Sequence, residues 1–262
     1  MTAPTATDRA LWPVVLVLSA VLGAAIALAA LGGPWQVIWL AHPAALAYWR
    51  WGLRRPVREL LASEGRWAGW TLVAAGALVP AIAALVGHGT SPEALGRALE
   101  QAGPAGVGRA ALLAVLVGCC MNAVPEELTF RGVLLGDLRV RGGAVLAVTI
   151  TAAAFTAMHV PTWMSSGVSG TTWLFQVADK LALGLLAGWS VVRLHSIGFA
   201  LGAHLGGNLV GVFLDSVVPP QGWSGLTVPN VVVLVAQTTV TAALVIRLGR
   251  DPVLASVGVS GS

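Results

Sequence analysis

The amino-acid sequence predicts an all-α, polytopic transmembrane helical bundle of about eight spans. Three observations predict this class. Apolar residues make up 56% of the chain and charged residues only 10%, whereas soluble domains carry about 25% charged residues. The apolar residues also fall into separate stretches, most of them close to the ~20 residues that a helix needs to cross the hydrocarbon core. With 262 residues, the chain has room for about eight such spans joined by short loops.

Eight apolar stretches are visible along the chain. Two of them are irregular: the second is short and contains His42-Pro43, which predicts a broken or tilted helix, and Asp179-Lys180 interrupts the sixth. In order, the stretches are Leu11–Leu31, Trp35–Trp51, Ala68–Gly87, Arg109–Val124 with a helical continuation, Ala144–His159, Trp173–Val192, Ile197–Val217 and Val228–Ile246.

These stretches and their polar residues divide the chain into five parts. The predicted parts are a disordered N-terminal tail (1–10), N-terminal transmembrane helices (11–106), a core that carries the unusual polar residues (107–217), a last transmembrane helix (218–250) and a disordered tail (251–262).

The positions of the arginines predict the orientation in the membrane. Arginines concentrate in alternate connections: Arg50, Arg54, Arg55, Arg58 and Arg66, then Arg139 and Arg141, then Arg193, then Arg247 and Arg250. Because cytoplasmic loops carry an excess of Lys and Arg, eight spans place both termini on the cytoplasmic side of the membrane. The net charge of +4 is therefore read as a topology signal, and we expect no nucleic-acid partner.

The two cysteines, Cys119 and Cys120, are adjacent within an apolar stretch, which argues against a disulfide framework.

Two carboxylates, Glu126 and Glu127, follow the apolar run ALLAVLVGCCMNAV. A charge at the centre of a bilayer costs roughly 2.5 kcal/mol or more, so such residues are usually functional or paired. Glu127 lies four residues before Arg131, the better order for an ion pair on a helix, and Glu126 has no such neighbour. A carboxylate without a cationic partner is free to accept a proton from water, so Glu126 is the preferred general base. Alternatively, Pro125 and the two glutamates simply begin a helix at the membrane surface.

Helix geometry predicts that His159 and His204 reach the depth of Glu126. Arg141-Gly142-Gly143 reads as a turn, and Glu126 and His159 lie on opposite sides of it at about 23 Å each, at 1.5 Å per residue. A second turn near His195 and Ser196 places His204 about 13 Å inside the membrane, with Asn208 on the same helical face. The other histidines, His42, His88 and His195, are interpreted as core or interfacial residues.

A carboxylate, two histidines and an amide in one membrane-embedded cavity form a plausible hydrolytic site. In one scheme Glu126 activates water, His159 orients it, and His204 and Asn208 donate hydrogen bonds to the oxyanion. Glu127 and Arg131 support the site electrostatically. In the other scheme Glu127, His159 and His204 bind zinc, with an open position for water. The residues leave both schemes open.

Three ordered motifs resemble those of a known family, the CPBP intramembrane metalloproteases, which include the type II CAAX prenyl protease and bacteriocin-immunity proteins. The family motifs E-E-x-x-x-R, F-x-x-x-H and H-x-x-x-N/D correspond to Glu126–Arg131, Phe155–His159 and His204–Asn208, and the resemblance extends roughly from Val117 to Gly211. It implies an all-helical membrane protease whose site consists of Glu126, Glu127, His159, His204 and Asn208, with Glu126 activating water. It further implies a membrane-associated peptide or protein substrate, in some members prenylated, and a bacterial-type cell membrane.

Two other functions are compatible with the sequence. A proton-coupled transporter would use Glu126, His159 and His204 as a relay, although no internal repeat supports this reading. A catalytically silent scaffold or immunity protein would only bind membrane partners. The sequence does not determine the substrate, the need for a metal or the oligomeric state.

Overall fold

The computed structural model describes residues 12–56, 66–167, 170–218 and 227–249. Within these ranges every regular element is a helix, which confirms the all-α class. The two tails that were predicted to be disordered, 1–10 and 251–262, lie outside the described residues.

The helices follow one another through short connections. In chain order they are α1 (Trp12–Ala30), a 3₁₀ segment (Trp35–Leu40), α2 (Ala41–Ala47), a π-helical segment (Tyr48–Gly52), α3 (Arg66–Gly87), α4 (Pro92–Leu113), a π-helical segment (Ala114–Ala123), α5 (Val124–Glu127), a π-helical segment (Leu128–Leu134), α6 (Leu135–Met158), α7 (Val160–Ser165), α8 (Gly170–Leu194), α9 (Gly198–Val217) and α10 (Val228–Leu248).

Five helical stretches among the described residues are long and apolar enough to cross a membrane, so the chain is an integral membrane protein. They are Trp70–Gly87, Pro92–Ser165, Gly170–Leu194, Gly198–Val217 and Val228–Leu248. The predicted number of about eight is therefore approximate. The first two predicted spans are not among these five. In α1, where side chains are described from residue 17 onward, Val17–Ala30 is a shorter apolar helix. The second predicted span is divided into 3₁₀, α and π segments, as His42-Pro43 suggested.

The longest stretch, Pro92–Ser165, contains more than one pass. Gly103 and Gly143 interrupt it with positive φ angles of 60° and 78°, a conformation that glycine adopts at little cost. Between them, residues 104–142 form one helix, called here the site helix. At 1.5 Å per residue it is about 60 Å long, roughly twice the hydrocarbon core, so it extends beyond the membrane interior. Gly143 lies in the predicted turn, and His195 (φ 51°) lies in the second one; both turn predictions are confirmed.

Helices α3 and α9 approach each other closely along a seam of glycines, called here the glycine seam: Gly76, Gly202 and Gly206. A Cβ atom on any of the three would collide with backbone atoms of the facing helix, for example with the carbonyl of Val73 in the case of Gly202. Small residues permit such contacts between membrane helices, which associate through close packing rather than through exclusion of water. The seam fixes α9, and with it the polar residues on the other side of that helix.

Candidate active site

The two carboxylates lie on α5, a single α-helical turn between two π-helical segments of the site helix. Both are buried, with 5% of Glu126 and none of Glu127 exposed. Because the helix continues on both sides of them, the structure does not support the alternative in which they begin a helix at the membrane surface. Helical turns of the π type occur frequently at functional sites, since the wider turn changes which side chains share a face.

Glu127 makes the predicted ion pair with Arg131. The distance from Arg131 Nη1 to Glu127 Oε1 is 3.1 Å, and both side chains are fully buried. The guanidinium also lies over the ring of Phe155, 4.4 Å from its centroid, a favourable cation–π geometry. The same Glu127 oxygen lies 2.9 Å from His204 Nδ1. Glu127 therefore links the site helix to α9.

Glu126 has a different environment from Glu127. Its Oε2 atom lies 3.7 Å from His204 Nε2, which is too long for a hydrogen bond. This oxygen has no hydrogen-bond partner among the described residues. The imidazole of His204 thus lies between the two carboxylates, bonded to Glu127 and close to Glu126. Among the described residues Glu127 Oε2 also lacks a hydrogen-bond partner, so the two carboxylates differ in the bonds that Glu127 Oε1 makes to Arg131 and His204.

His159 occupies the junction between α6 and α7, and it joins the cluster through an aromatic ring. The centroid of Phe155 lies 4.9 Å from that of His159 and 5.7 Å from that of His204. His159 Nδ1 lies 2.9 Å from the Phe155 carbonyl oxygen, and because a carbonyl only accepts, Nδ1 carries the proton and donates it. Nε2 is then the nitrogen left to accept a hydrogen bond. The ring also stacks on Trp163, at a centroid distance of 5.9 Å.

Asn208 follows His204 on the same face of α9. Its Nδ2 atom donates a hydrogen bond of 3.0 Å to the backbone carbonyl of Gly118, in the π-helical segment that precedes the glutamates. An amide nitrogen has two hydrogens, so one donor remains. This contact was not predicted from sequence, because nothing in the spacing of the two residues relates them.

A polar cavity of about 200 Å³ lies beside His204 and Asn208. Residues of helices α3, α8, α9 and α10 line it, and its polar lining includes Gln176, Asp179, Lys180 and Gln237. Asp179 and Lys180, which interrupt the sixth apolar stretch, form an ion pair of 3.0 Å here. Their charge inside an apolar stretch was the available signal, but no spacing rule connected them to the motifs.

The remaining histidines do not enter the cluster. His42 on α2 is buried and lies 2.9 Å from the hydroxyl of Thr129 through Nδ1. His88 is buried at the end of α3, 3.4 Å from Asp215 of α9. His195 occupies the turn before α9. These locations agree with their interpretation as core or interfacial residues.

The donor atoms provide a test of fit for zinc. Catalytic zinc takes three protein ligands with one open position. No group of three His, Cys, Asp or Glu side chains within the described residues is arranged to hold a metal ion. The Nδ1 atoms of His204 and His159 are bonded to Glu127 and to a backbone carbonyl, which leaves both Nε2 atoms as the nitrogens that could face a metal. Since the described residues show no three-donor group, zinc stays a prediction for direct metal analysis, and no step is assigned to it.

The fold and the cluster together define a helical integral membrane protein with a buried Glu–Arg–His centre. Residues 108–210 match the family described as type II CAAX prenyl endopeptidase Rce1-like, which confirms the resemblance predicted from the three motifs. At the level of that family, the match supports a protease of the CAAX-type intramembrane endopeptidase class. No curated protein and no solved structure matches the chain.

Proposed function

We propose that this protein is an intramembrane endopeptidase that hydrolyses a peptide bond of a membrane-associated or lipidated protein or peptide. The observation that carries the proposal is the difference between the two buried carboxylates. Each carboxylate has a buried Oε2 atom without a hydrogen-bond partner among the described residues. They differ in their other contacts: Glu127 Oε1 is bonded to Arg131 and His204, whereas the contact of Glu126 with His204 is 3.7 Å long. A buried acid without a fixed partner, beside a histidine, is a suitable general base.

In the proposed reaction Glu126 accepts a proton from a water molecule whose oxygen attacks the peptide carbonyl. His159 orients that water through Nε2, since its Nδ1 proton is already donated to the Phe155 carbonyl. When the tetrahedral intermediate collapses, the carbon–nitrogen bond breaks and Glu126 returns the proton to the leaving amine. Water is thus added across the peptide bond, and Glu126 ends the cycle as a carboxylate.

The negative charge that develops on the carbonyl oxygen requires hydrogen-bond donors. The second amide hydrogen of Asn208 is one donor, since the first is held by Gly118. His204 Nε2 is the other in the imidazolium form, in which this nitrogen has taken up a proton from solution before the reaction and keeps it throughout, while Nδ1 donates to Glu127. Arg131 acts indirectly by holding Glu127, and through it His204, in place.

Purified protein in detergent tests the proposal. The wild type, Glu126→Gln and Glu100→Gln are incubated with membrane proteins and with a fluorogenic library of prenylated and unprenylated peptides, and products are read by mass spectrometry. Glu100 is an exposed glutamate of α4 and serves as the matched control. Removal of a general base lowers rates by about 10²–10⁴-fold. We therefore expect this loss in Glu126→Gln alone, with thermal unfolding unchanged.

Hydrolysis by Glu126→Gln at the wild-type rate would contradict the proposed base. Cleavage by no variant, together with proton flux in proteoliposomes that depends on Glu126, would favour a transporter. The same samples decide the metal: stoichiometric zinc with activity lost on chelation would establish the zinc scheme, and full activity in metal-free protein would establish the scheme without zinc.

The proposal also covers the class of substrate and the location of the protein in the cell. The library separates a prenylated substrate from other membrane peptides, and a substrate found by it would show whether the protein acts in CAAX processing or in bacteriocin immunity. We place the protein in a bacterial-type cell membrane with both termini cytoplasmic, as the arginines indicate. Fusions of a reporter that is active on only one side of the membrane test that orientation.

A further inference from the structure

Lys180 is the only lysine of the chain, and it lies in the middle of α8 on the wall of the polar cavity. Among the described residues that line this cavity, it is the one cation. The same cavity is lined from α9 by His204 and Asn208, the two proposed oxyanion donors.

An ammonium group inside a membrane helix is costly, and such residues usually contact a partner or a substrate. Asp179 accounts for part of this cost, through one hydrogen bond of 3.0 Å. A lysine has three N–H donors, so two remain. The side chains of Lys180 and Asp179 keep 25% and 19% of their surface exposed. Since both line the cavity, the ammonium is accessible to a molecule within it.

The other polar groups around the cavity fit an extended peptide. Gln176 and Gln237 face it from α8 and α10, and each carboxamide both donates and accepts hydrogen bonds. The backbone of a peptide end in this cavity would form hydrogen bonds with these carboxamides, and its terminal carboxylate would pair with one cation. A lysine binds a carboxylate as a compact point charge.

We propose that Lys180 binds the free C-terminal carboxylate of the peptide substrate, while the bond to be cleaved lies beside His204 and Asn208. The inference rests on the proposed endopeptidase function and assigns its specificity for a chain end to a single residue. Asp179 holds the ammonium in position, and it weakens the binding of a second carboxylate through like-charge repulsion.

Binding tests this assignment independently of cleavage. The protein is the Glu126→Gln variant in detergent, and the ligands are an N-terminally fluorescent tripeptide of aliphatic residues as the free acid and as the C-terminal amide. A hydrogen bond to a charged group corresponds to about a tenfold or larger change in affinity. We expect the acid to bind at least about tenfold more tightly than the amide, measured by fluorescence anisotropy.

Three variants, each made in the Glu126→Gln background, sharpen the test. Lys180→Met removes the preference for the acid, Lys180→Arg retains it because the charge is kept, and Asp179→Asn increases it because a competing carboxylate is lost. A lysine with a purely structural role would not produce this ordered series. Thermal unfolding of each variant identifies any that fail to fold. If Lys180→Met fails to fold, Asp179→Asn still tests the assignment.

Equal binding of acid and amide, binding of neither, or an acid preference that persists in folded Lys180→Met would each overturn the assignment. Failure of the proposed function has a separate signature, because wild-type protein would then cleave no peptide while the binding preference for the acid remained.

Discussion

The two sides of α9 bring the helix into contact with its neighbours in opposite ways. On one side Gly202 and Gly206 have no side chain, and the backbone of α3 fills the space. On the other side His204 and Asn208 reach across to the site helix, where His204 bonds to Glu127 at 2.9 Å and Asn208 to Gly118 at 3.0 Å. The two sides alternate along the helix at every second residue, because two residues correspond to about 200° of rotation.

The comparison shows how the helix can be both fixed and functional. In a membrane, burial of apolar side chains hardly favours one helix orientation over another, because the surrounding lipid is equally apolar. The glycine seam supplies orientation through shape, as only a helix without side chains along that line fits against α3. The polar side is then positioned by two directional bonds, those of His204 and Asn208.

The largest predicted effect concerns the buried ion pair of Glu127 and Arg131. Glu127→Gln leaves the guanidinium buried without a carboxylate, and breaking such a pair costs about 3–5 kcal/mol. We expect the free energy of unfolding, measured by denaturant titration in mixed micelles, to fall by that amount. The double variant Glu127→Gln/Arg131→Met should be less destabilised than the sum of the two single variants, because no lone charge remains.

Asp137 and Arg141 offer a matched control for this prediction. They have the same four-residue spacing on a helix and a distance of 3.3 Å, but Arg141 keeps 23% of its side chain exposed. Because this pair is only partly buried, Asp137→Asn should cost less than Glu127→Gln. If Asp137→Asn and Glu127→Gln lowered the free energy of unfolding by similar amounts, burial would not be the reason for the stronger contribution of the Glu127–Arg131 pair.

The glycine seam is expected to show the next largest effect. Gly202→Ala places a methyl group against the carbonyl of Val73, and such overpacking costs about 1–3 kcal/mol. Gly211→Ala in the same helix meets no atom within 4 Å, so it should be neutral or gain up to ~1 kcal/mol from helix propensity. Thermal unfolding of the two variants compares them, and equal stability would show that α3 can move away without cost.

The smallest effect is expected where the N-terminal helices meet the site helix. Thr129→Val removes the hydrogen bond to His42, a contact of 2.9 Å between buried groups, and should cost about 1 kcal/mol. Thr149→Val is the control, because the Thr149 hydroxyl bonds only to a carbonyl of its own helix, on an exposed face. If the two variants unfold alike, α2 is not held to the site through this bond.

Much of the fold followed from the sequence because its signals are local. The apolar stretches predicted the helices, and the glycine pair at residues 142–143 predicted the turn confirmed at Gly143. The four-residue spacing predicted the Glu127–Arg131 pair. The number of spans was only approximate: His42-Pro43 indicated a break in the second stretch, but length and hydropathy did not reveal its division into 3₁₀, α and π segments over residues 35–52.

Contacts between distant segments were beyond sequence reasoning. The depth estimates brought Glu126, His159 and His204 to a common level, but they did not indicate that His204 would bond to Glu127 rather than to Glu126. The pairing of Asn208 with Gly118 and the position of Lys180 beside the oxyanion donors were also not predicted. Each depends on the rotation of one helix relative to another.

The sequence by itself determined that this chain is an all-helical membrane protein, that Glu127 and Arg131 form a pair, and that its three motifs resemble those of one protease family. These properties depend on composition and on spacings within one helix, where 3.6 residues per turn fixes the geometry. The tertiary structure alone decided which carboxylate holds His204, which amide hydrogen of Asn208 is left, and which residues line the polar cavity. Those depend on how closely helices approach and rotate, and here glycines such as Gly202 allow backbone contact that no local pattern specifies.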